Sequence, residues 1–441
     1  MSKVLIVSLD VLGKNMSGPG IRALAFARNL SGKHKVALAA GSTGKVEPLG
    51  FDLVEFDRNT VYELAREADV VVCQGEVLDL FPALYRIQTP LAIDLYDPLL
   101  FELLEMWPNM NTAERLGLHR MRVERTNNHL RAGDFFICAS EKQRDFWLGM
   151  LAAVGRINPH TYSGDYDLKG LIDVVPFGLP KEKPVHTRGV LKGVHPGIEK
   201  DDRVLLWNGG IWNWLDPITL IRAMKLLVGE RDDVKLLFMG TRHPNPRVPE
   251  MEVCAETIAL SKDLGLYDRH VFYNEWTPYE ERSNFLLEAD FGICLHREHL
   301  ETRYSFRTRI LDCIWARLPI IISEGDSMSE LVRREKLGAV VSPGDEKALK
   351  EVILALLDNS EAQQKFRANL EAIAPRLTWE AMLEPLSRFC ENPGSARDKR
   401  QASDFRFLTA KYYLVRLKHY YREGGFKEAA AQVIGKILRS R

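Results

Sequence analysis

Short runs of unbroken apolar residues alternate along the chain with longer stretches whose apolar positions recur every three or four residues. The runs "KVLIVSL", "KVALAA", "DVVVCQ", "TPLAIDLY" and "DFFICAS" read as strands. Between them "GIRALAFARNLS", "TVYELAREA", a region from about Leu99 to Arg131, and "EKQRDFWLGMLAAVG" read as helices. That alternation predicts crossover helices and a largely parallel sheet, and strands as uniformly apolar as "VVVC" predict a sheet covered on both faces.

The pattern loosens through "HTYSGDYDLKGLIDVVPFGLP" and the Pro-, Gly- and charge-rich "KEKPVHTRGVLKGVHPGIEKDD", then restarts. "RVLLWNGG", "DVKLLFMG", "HVFYNEW", "DFGICLHR" and "PIIIS" are expected strands, with helices between them. The first of these helices, "DPITLIRAMKLLVGE", has Asp216 as N-cap and Pro217 at its first position. The fold expected is α/β, two Rossmann-like lobes facing a central cleft, with a helical C-terminal extension. Residues 1–180 form the first lobe, 181–201 a linker, 202–378 the second lobe, and 379–441 a crossover and basic tail. Two such halves place a ligand between the C-terminal edges of their strands.

Composition narrows the function classes. The 441 residues exceed one ordinary core, 46% are hydrophobic, and the formal net charge is zero. That balance argues against a nucleic-acid binder. No apolar run is long enough to span a bilayer, and "MSKVLIVSLD" enters a strand without a leader-like segment. The six cysteines, Cys73, Cys138, Cys254, Cys294, Cys313 and Cys390, match no metal-ligand spacing and lie in apolar patterns. Buried thiols in a reducing cytoplasm are expected. From Arg397 to Arg441 there are twelve Lys or Arg against four Asp or Glu, interleaved with Tyr and Phe. This tail fits a helix with a wet basic face, an anionic membrane surface at the inner face, or a partner protein.

Candidate chemistry gathers at four places. In "SLDVLGKNMSGPGIRAL" the glycines, Gly18 and Gly20 above all, allow close backbone approach. The helix start that follows offers unpaired N–H groups to an anion or a sugar hydroxyl, and a plain surface loop is the alternative. In "LAIDLYDPLLFE", Asp97 either caps the next helix or faces the cleft. Asp94, at the end of an apolar strand, could bind substrate hydroxyls or stabilise developing positive charge. His119 and His129, beside arginines on one helix, are expected to face solvent. Gly209 and Gly210 follow a strand directly and would let phosphate reach the main chain. Trp207, Trp212 and Trp214 beside them either stack on a base or sugar or pack the lobes. Finally, "ETRYSFRTRILDCIWARLPIIISEGD" crowds Arg303, Arg307 and Arg309 at a helix start, with Ser305 as its expected cap. Arg303 or Arg307 would hold diphosphate, while Arg309 points elsewhere, toward Asp312 or solvent.

In this order the segments resemble the two-lobed (GT-B) nucleotide-sugar glycosyltransferases, specifically the large retaining family numbered four. The resemblance runs from the first Gly-rich turn to about Trp379. It rests on "DFFICAS", "IDVVPFGLP", "LLWNGG…DPITLIRAM", "DFGICLHR…FRTRILDCIWARLPIIISEGDSMSELV" and "LTWEAML". Matching "LDCIWARLPII" to the family's "LEAMACGTPVV"-like helix puts Asp312 at the second glutamate of a Glu-x7-Glu pair, the ribose-binding acid, and Tyr304 at the first. The arginine and lysine that usually meet the diphosphate correspond to Gly210 and to Trp214 or Leu215. The usual first-lobe histidine corresponds to Tyr96.

The resemblance implies transfer of a sugar from a nucleoside diphosphate sugar, a co-substrate rather than a cofactor, to an acceptor hydroxyl with retention and without a metal. The acceptor would be a carbohydrate, a lipid-linked carrier or another hydroxyl compound. The implied donor set is Gly209, Gly210, Arg303, Ser305, Phe306, Arg307 and Asp312, with Asp94, Asp97 and Arg307 at the reacting centre. Gly18, Gly20 and Tyr96 would line the cleft. A nucleotide-sugar epimerase or hydrolase on the same fold, or a non-catalytic partner protein, stays open as an alternative.

Overall fold

The computed structural model describes residues 1–13, 16–44, 50–243, 248–396 and 398–399. The tail read as basic and membrane-directed therefore lies, apart from Asp398 and Lys399, outside the described residues.

The first lobe is built on a seven-stranded parallel sheet. Its strands are β1 (Lys3–Leu12), β2 (Lys35–Thr43), β3 (Asp52–Glu55), β4 (Val70–Gln74), β5 (Leu91–Asp94), β6 (Phe135–Cys138) and β7 (Ile172–Val174), in the order β3-β2-β1-β4-β5-β6-β7. The second lobe carries a six-stranded parallel sheet of β8 (Arg203–Gly210), β9 (Val234–Gly240), β10 (Val271–Tyr273), β11 (Phe291–Cys294), β12 (Ile320–Ser323) and β13 (Gly338–Val341), in the order β10-β9-β8-β11-β12-β13. In each sheet the chain reverses direction beside its first strand, and ligands of open α/β sheets bind at such switch points. Helices cover both faces of these sheets, so β5, β6, β9, β11 and β12 are buried at every residue, as their unbroken apolar runs predict.

The expected N-cap Asp216 accepts from the Thr219 amide, with Pro217 opening the helix Pro217–Leu227. The region expected as one helix from Leu99 to Arg131 is two, Leu99–Met106 and Thr112–Ala132. Pro108 interrupts it, and Asn111 caps the second helix through the amides of Ala113 and Glu114. His129, expected at the surface, is 4% exposed. The helix turns it toward Asp79, with Nε2 at 3.1 Å from the carboxylate. The edge strand β3 carries no alternation strong enough to announce it.

The chain after the second lobe returns to the first. Leu179 donates its amide to Leu377 O and accepts from the Trp379 amide, at 2.7 and 3.1 Å. Trp379 packs edge-on to Phe26, and Phe389 stacks on Phe135 with centroids 4.6 Å apart. One apolar cluster accordingly runs from Val4 and Phe26 through Phe177 and Leu179 to Leu311 and Trp379, and the lobes share a core along one side of the cleft. All six cysteines are buried free thiols. Among the described residues no helix is long and apolar enough to cross a membrane.

Candidate active site

Two connected cavities fill the cleft. One lies between Ser17, Gly18 and Phe177 of the first lobe and Asn208–Gly210, Tyr279, Arg282, Thr308, Arg309, Leu311 and Asp312 of the second. The other extends toward Glu76, Asp97, Glu102 and Trp214, with Arg307 and Arg309 among the residues that line it. They meet at Gly18, Phe177, Trp212, Thr308 and Arg309, which line both.

On the first-lobe side, the helix Gly18–Leu30 starts at the cleft, and the Gly20 amide in its first turn is taken up within the chain. The Asp10 carboxylate accepts from the Ser17 amide and hydroxyl and from the Gly20 amide, at 3.2, 2.6 and 3.0 Å. Glycine is required at 20 because a Cβ there would stand 2.8 Å from Asp10 Oδ2. Gly18 faces the Tyr96 hydroxyl. Ser17 and Gly18 line the cleft, whereas Gly20 lines neither cavity and gives its amide to Asp10.

Asp94 lies behind the cleft wall. Both carboxylate oxygens accept from Arg22, Nε at 2.5 Å and Nη2 at 3.0 Å, and Arg22 also donates to the carbonyls of Val175 and Pro176. The guanidinium is stacked among Phe26, Tyr96 and Phe177, each ring centroid 4.7–5.0 Å away. Burial raises the Asp94 carboxyl above its ordinary range despite the attraction of Arg22. A signal for this pair is present in the sequence, since Arg22 shares a helix face with Phe26 and Leu30 at intervals of four.

Asp97 does face the cleft. The following helix has Pro98 at its N-cap position and no side-chain cap, and Asp97 Oδ2 accepts a long bond, 3.4 Å, from Gln74. Burial pushes its carboxyl up to about 7. The Tyr96 hydrogen bond opposes that rise, and the charges of Asp94 and Glu76 add to it. Glu102, on the same wall, is driven well above its ordinary value by burial and by Asp97 and Glu301.

The second-lobe segment arranges its arginines unequally. Ser305 does not cap the helix Arg309–Ala316. It ends the short helix Leu300–Tyr304, its hydroxyl donating to Thr302 O, and Thr308 takes the N-cap position. Arg303 is exposed and leans over the Tyr304 ring. Arg307 lines the cleft but gives both terminal nitrogens to Glu301, at 2.8 and 2.7 Å, with Asp326 3.6 Å from Nε. Burial alone would lower Arg307, but these carboxylates hold it above its ordinary value. Behind it the pKa of the buried His296 ring is lowered well below the usual value by burial and by Arg307. Asp326 is raised by burial to about 6.

Phe306 packs at the core edge and lines the cleft beside Thr308. Asp312 reaches the other cavity and accepts from Arg282 Nε at 3.1 Å, and Arg282 lies over the Tyr279 ring at 3.6 Å. Arg309, expected to turn toward Asp312 or solvent, lies instead against Gly209 and donates to Gly210 O at 2.9 Å. Gly209 sits at φ +120° in the open end of β8, a conformation that favours glycine. Trp207 is fully buried, while Trp212 stacks on Trp214 with centroids 5.1 Å apart at the cavity junction. Among the described residues no cluster of three or more His, Cys, Asp or Glu could hold a metal ion.

Tyr304 crosses between the lobes. Its ring stacks on Phe101 (5.0 Å, 16° between planes) and lies 5.2 Å from Phe146. The Gln143 amide donates to both Tyr96 O and Tyr304 O, at 2.7 and 2.8 Å. Replacing Tyr304 with alanine removes stacking worth about 0.5–1.5 kcal/mol per pair. The free protein is expected to open, with a larger radius of gyration by small-angle scattering. An unchanged radius would show that this contact does not hold the lobes together.

Fold and cleft define a class of protein, a two-lobed α/β chain of the GT-B type. Residues 195–372, less than half of the chain but most of its second lobe, match the family described as Glycosyl transferases group 1. No curated protein sequence matches the chain. Among solved structures, Anabaena Alr3699/HepE in complex with UDP-glucose superposes with a TM-score of 0.63 at 15% identity, over 89% of this chain and 100% of that one. Sucrose-phosphate synthase from Thermosynechococcus elongatus gives 0.60 at 14% identity, over 89% and 98%. An E. coli structure described as trehalose-6-phosphate bound with UDP-2-fluoro glucose gives 0.60 at 12% identity, over 89% and 100%.

Proposed function

We propose that this protein is a glycosyltransferase that moves a sugar from a nucleoside diphosphate sugar to an acceptor hydroxyl, with retention of configuration and without a metal. The observation that carries the reading is the coincidence of the family match with the cleft. The second-lobe residues that line it, from Asn208 to Asp312, all fall within 195–372. Several solved structures of the same fold are described with UDP or UDP-sugars bound.

The donor base and ribose would occupy the cavity beside Tyr279 and Asp312, with Asp312 accepting from ribose hydroxyls. The diphosphate would lie over Gly209 and Gly210 toward the start of the helix Arg309–Ala316. The positive end of that helix stabilises charge developing on the leaving phosphate. The acceptor would enter the larger cavity between Asp97, Glu102 and Trp212. Either carboxylate, once deprotonated, can orient the attacking hydroxyl, and the shared core and the Tyr304 contact limit access of water to the donor.

The test is incubation of the full chain with a panel of nucleoside diphosphate sugars, with and without hydroxyl acceptors, followed by NMR of the products. Acceptor-dependent transfer with the donor's anomeric configuration is expected. Epimerised or hydrolysed donor without acceptor would identify the alternative chemistry. Donor binding without turnover would identify a non-catalytic partner, a reading that Tyr304 at the family's first glutamate favours.

A further inference from the structure

Of the arginines in the Glu301–Asp326 segment, Arg309 is half-buried, and the shielded edge of its guanidinium has no counter-charge. Its Nη2 is committed to Gly210 O, and its guanidinium lies 5.4 Å from the Trp207 ring centroid. Its Nη1 is shielded from solvent and has no hydrogen-bond partner. Among the described residues no carboxylate reaches ion-pair distance of Arg309. Its neighbour Asp312 is engaged by Arg282, and Glu301 is engaged by Arg307. Burial and the nearby Arg307 both act against the charge on Arg309. A guanidinium edge shut off from water without a partner is costly to maintain in a fold, and an anion at the cleft would satisfy it.

The position of this cation specifies the anion. The guanidinium lies flat on Gly209, where a Cβ would meet its central carbon at 3.6 Å, so glycine at 209 leaves the approach open from the cleft. Arg309 is also one of the residues common to both cavities. The loop after β8, residues 211–215, contains no Lys or Arg of its own.

Resting on the donor class proposed above, we propose that Arg309 is the cation that holds the diphosphate of the donor, reaching the end of β8 from the start of the helix Arg309–Ala316 in the same lobe. In this arrangement Arg307, paired to Glu301, braces the loop that carries Thr308 and Arg309. A guanidinium with one free edge suits a phosphate oxygen, and Arg309 would remain in contact with the diphosphate as the glycosidic C–O bond breaks and its electron pair passes to the leaving phosphate oxygen.

The test is calorimetric titration of the full chain with UDP, GDP and ADP and with the matching monophosphates, in wild type, Arg309→Met and Arg309→Lys. Whichever diphosphate wild type binds is expected to weaken by roughly 10- to 100-fold in Arg309→Met, with a much smaller loss for its monophosphate and partial retention in Arg309→Lys. Wild-type binding of a diphosphate that Arg309→Met leaves unchanged would overturn the role of Arg309 alone. Equal losses of mono- and diphosphate in both variants would mark it as a structural residue of the pocket, also overturning the proposal. Failure of wild type to bind any diphosphate would overturn the donor class, and the proposal with it.

Discussion

Replacing Asp94 with alanine is expected to lower the stability of the protein by about 3–5 kcal/mol in urea unfolding at neutral pH. The reason is the charge it leaves behind. Arg22 is 1% exposed and surrounded by Phe26, Tyr96 and Phe177, and Asp94 supplies its carboxylate partner. The carbonyls of Val175 and Pro176 would remain, but neutral acceptors do not replace a counter-ion in a dry site. Removing both charges together, in Arg22→Met with Asp94→Leu, is expected to recover most of the loss, because a buried pair contributes little net stability over apolar side chains of similar volume. A loss below about 1 kcal/mol in the single variant would show that the pair does not stabilise the first lobe.

Three residues on, the opposite result is expected. Asp97 titrates near 3.8 as an ordinary carboxyl but is pushed up to about 7 in the fold. Between those values the native state holds a proton that the unfolded chain has released, so stability falls as pH rises through that window. Asp97→Asn removes this dependence. At pH 8 the variant is expected to be more stable than wild type by roughly 2–4 kcal/mol, with little difference at pH 4. Transfer activity should fall with it, since the carboxylate that faces the acceptor cavity is gone. Parallel stability–pH curves for the two proteins would show that Asp97 titrates as it would in water. Gained stability with undiminished transfer would remove Asp97 from the reacting centre.

These two aspartates show how far sequence reasoning reaches. Both are legible as acids at the end of a buried strand, and on that ground both are candidates for the reacting centre. What separates them is the direction of the next few bonds. Asp94 ends β5 pointing toward the helix Gly18–Leu30, where Arg22 waits 72 residues away in sequence. Asp97, past the strand end, turns into the cleft. The arginines of the 301–326 segment behave likewise. Their number and order are plain, but Glu301 takes up Arg307 while Arg309, on the other side of the turn, reaches β8 in another part of the lobe.

By itself the sequence determined the architecture. Unbroken apolar runs alternating with helical periodicity specify two parallel sheets covered on both faces, because burying those runs leaves few other arrangements. It also determined the place of the cleft, since chain segments leave the strands at their C-terminal edges, where the glycine pairs and charged loops lie. Only the tertiary structure decided which charges meet. Asp10 closes the first helix start, Glu301 occupies Arg307, Arg282 occupies Asp312, and Tyr304 bridges the lobes. Ion pairing depends on separations of a few ångströms between side chains distant in sequence, and local periodicity carries no record of them.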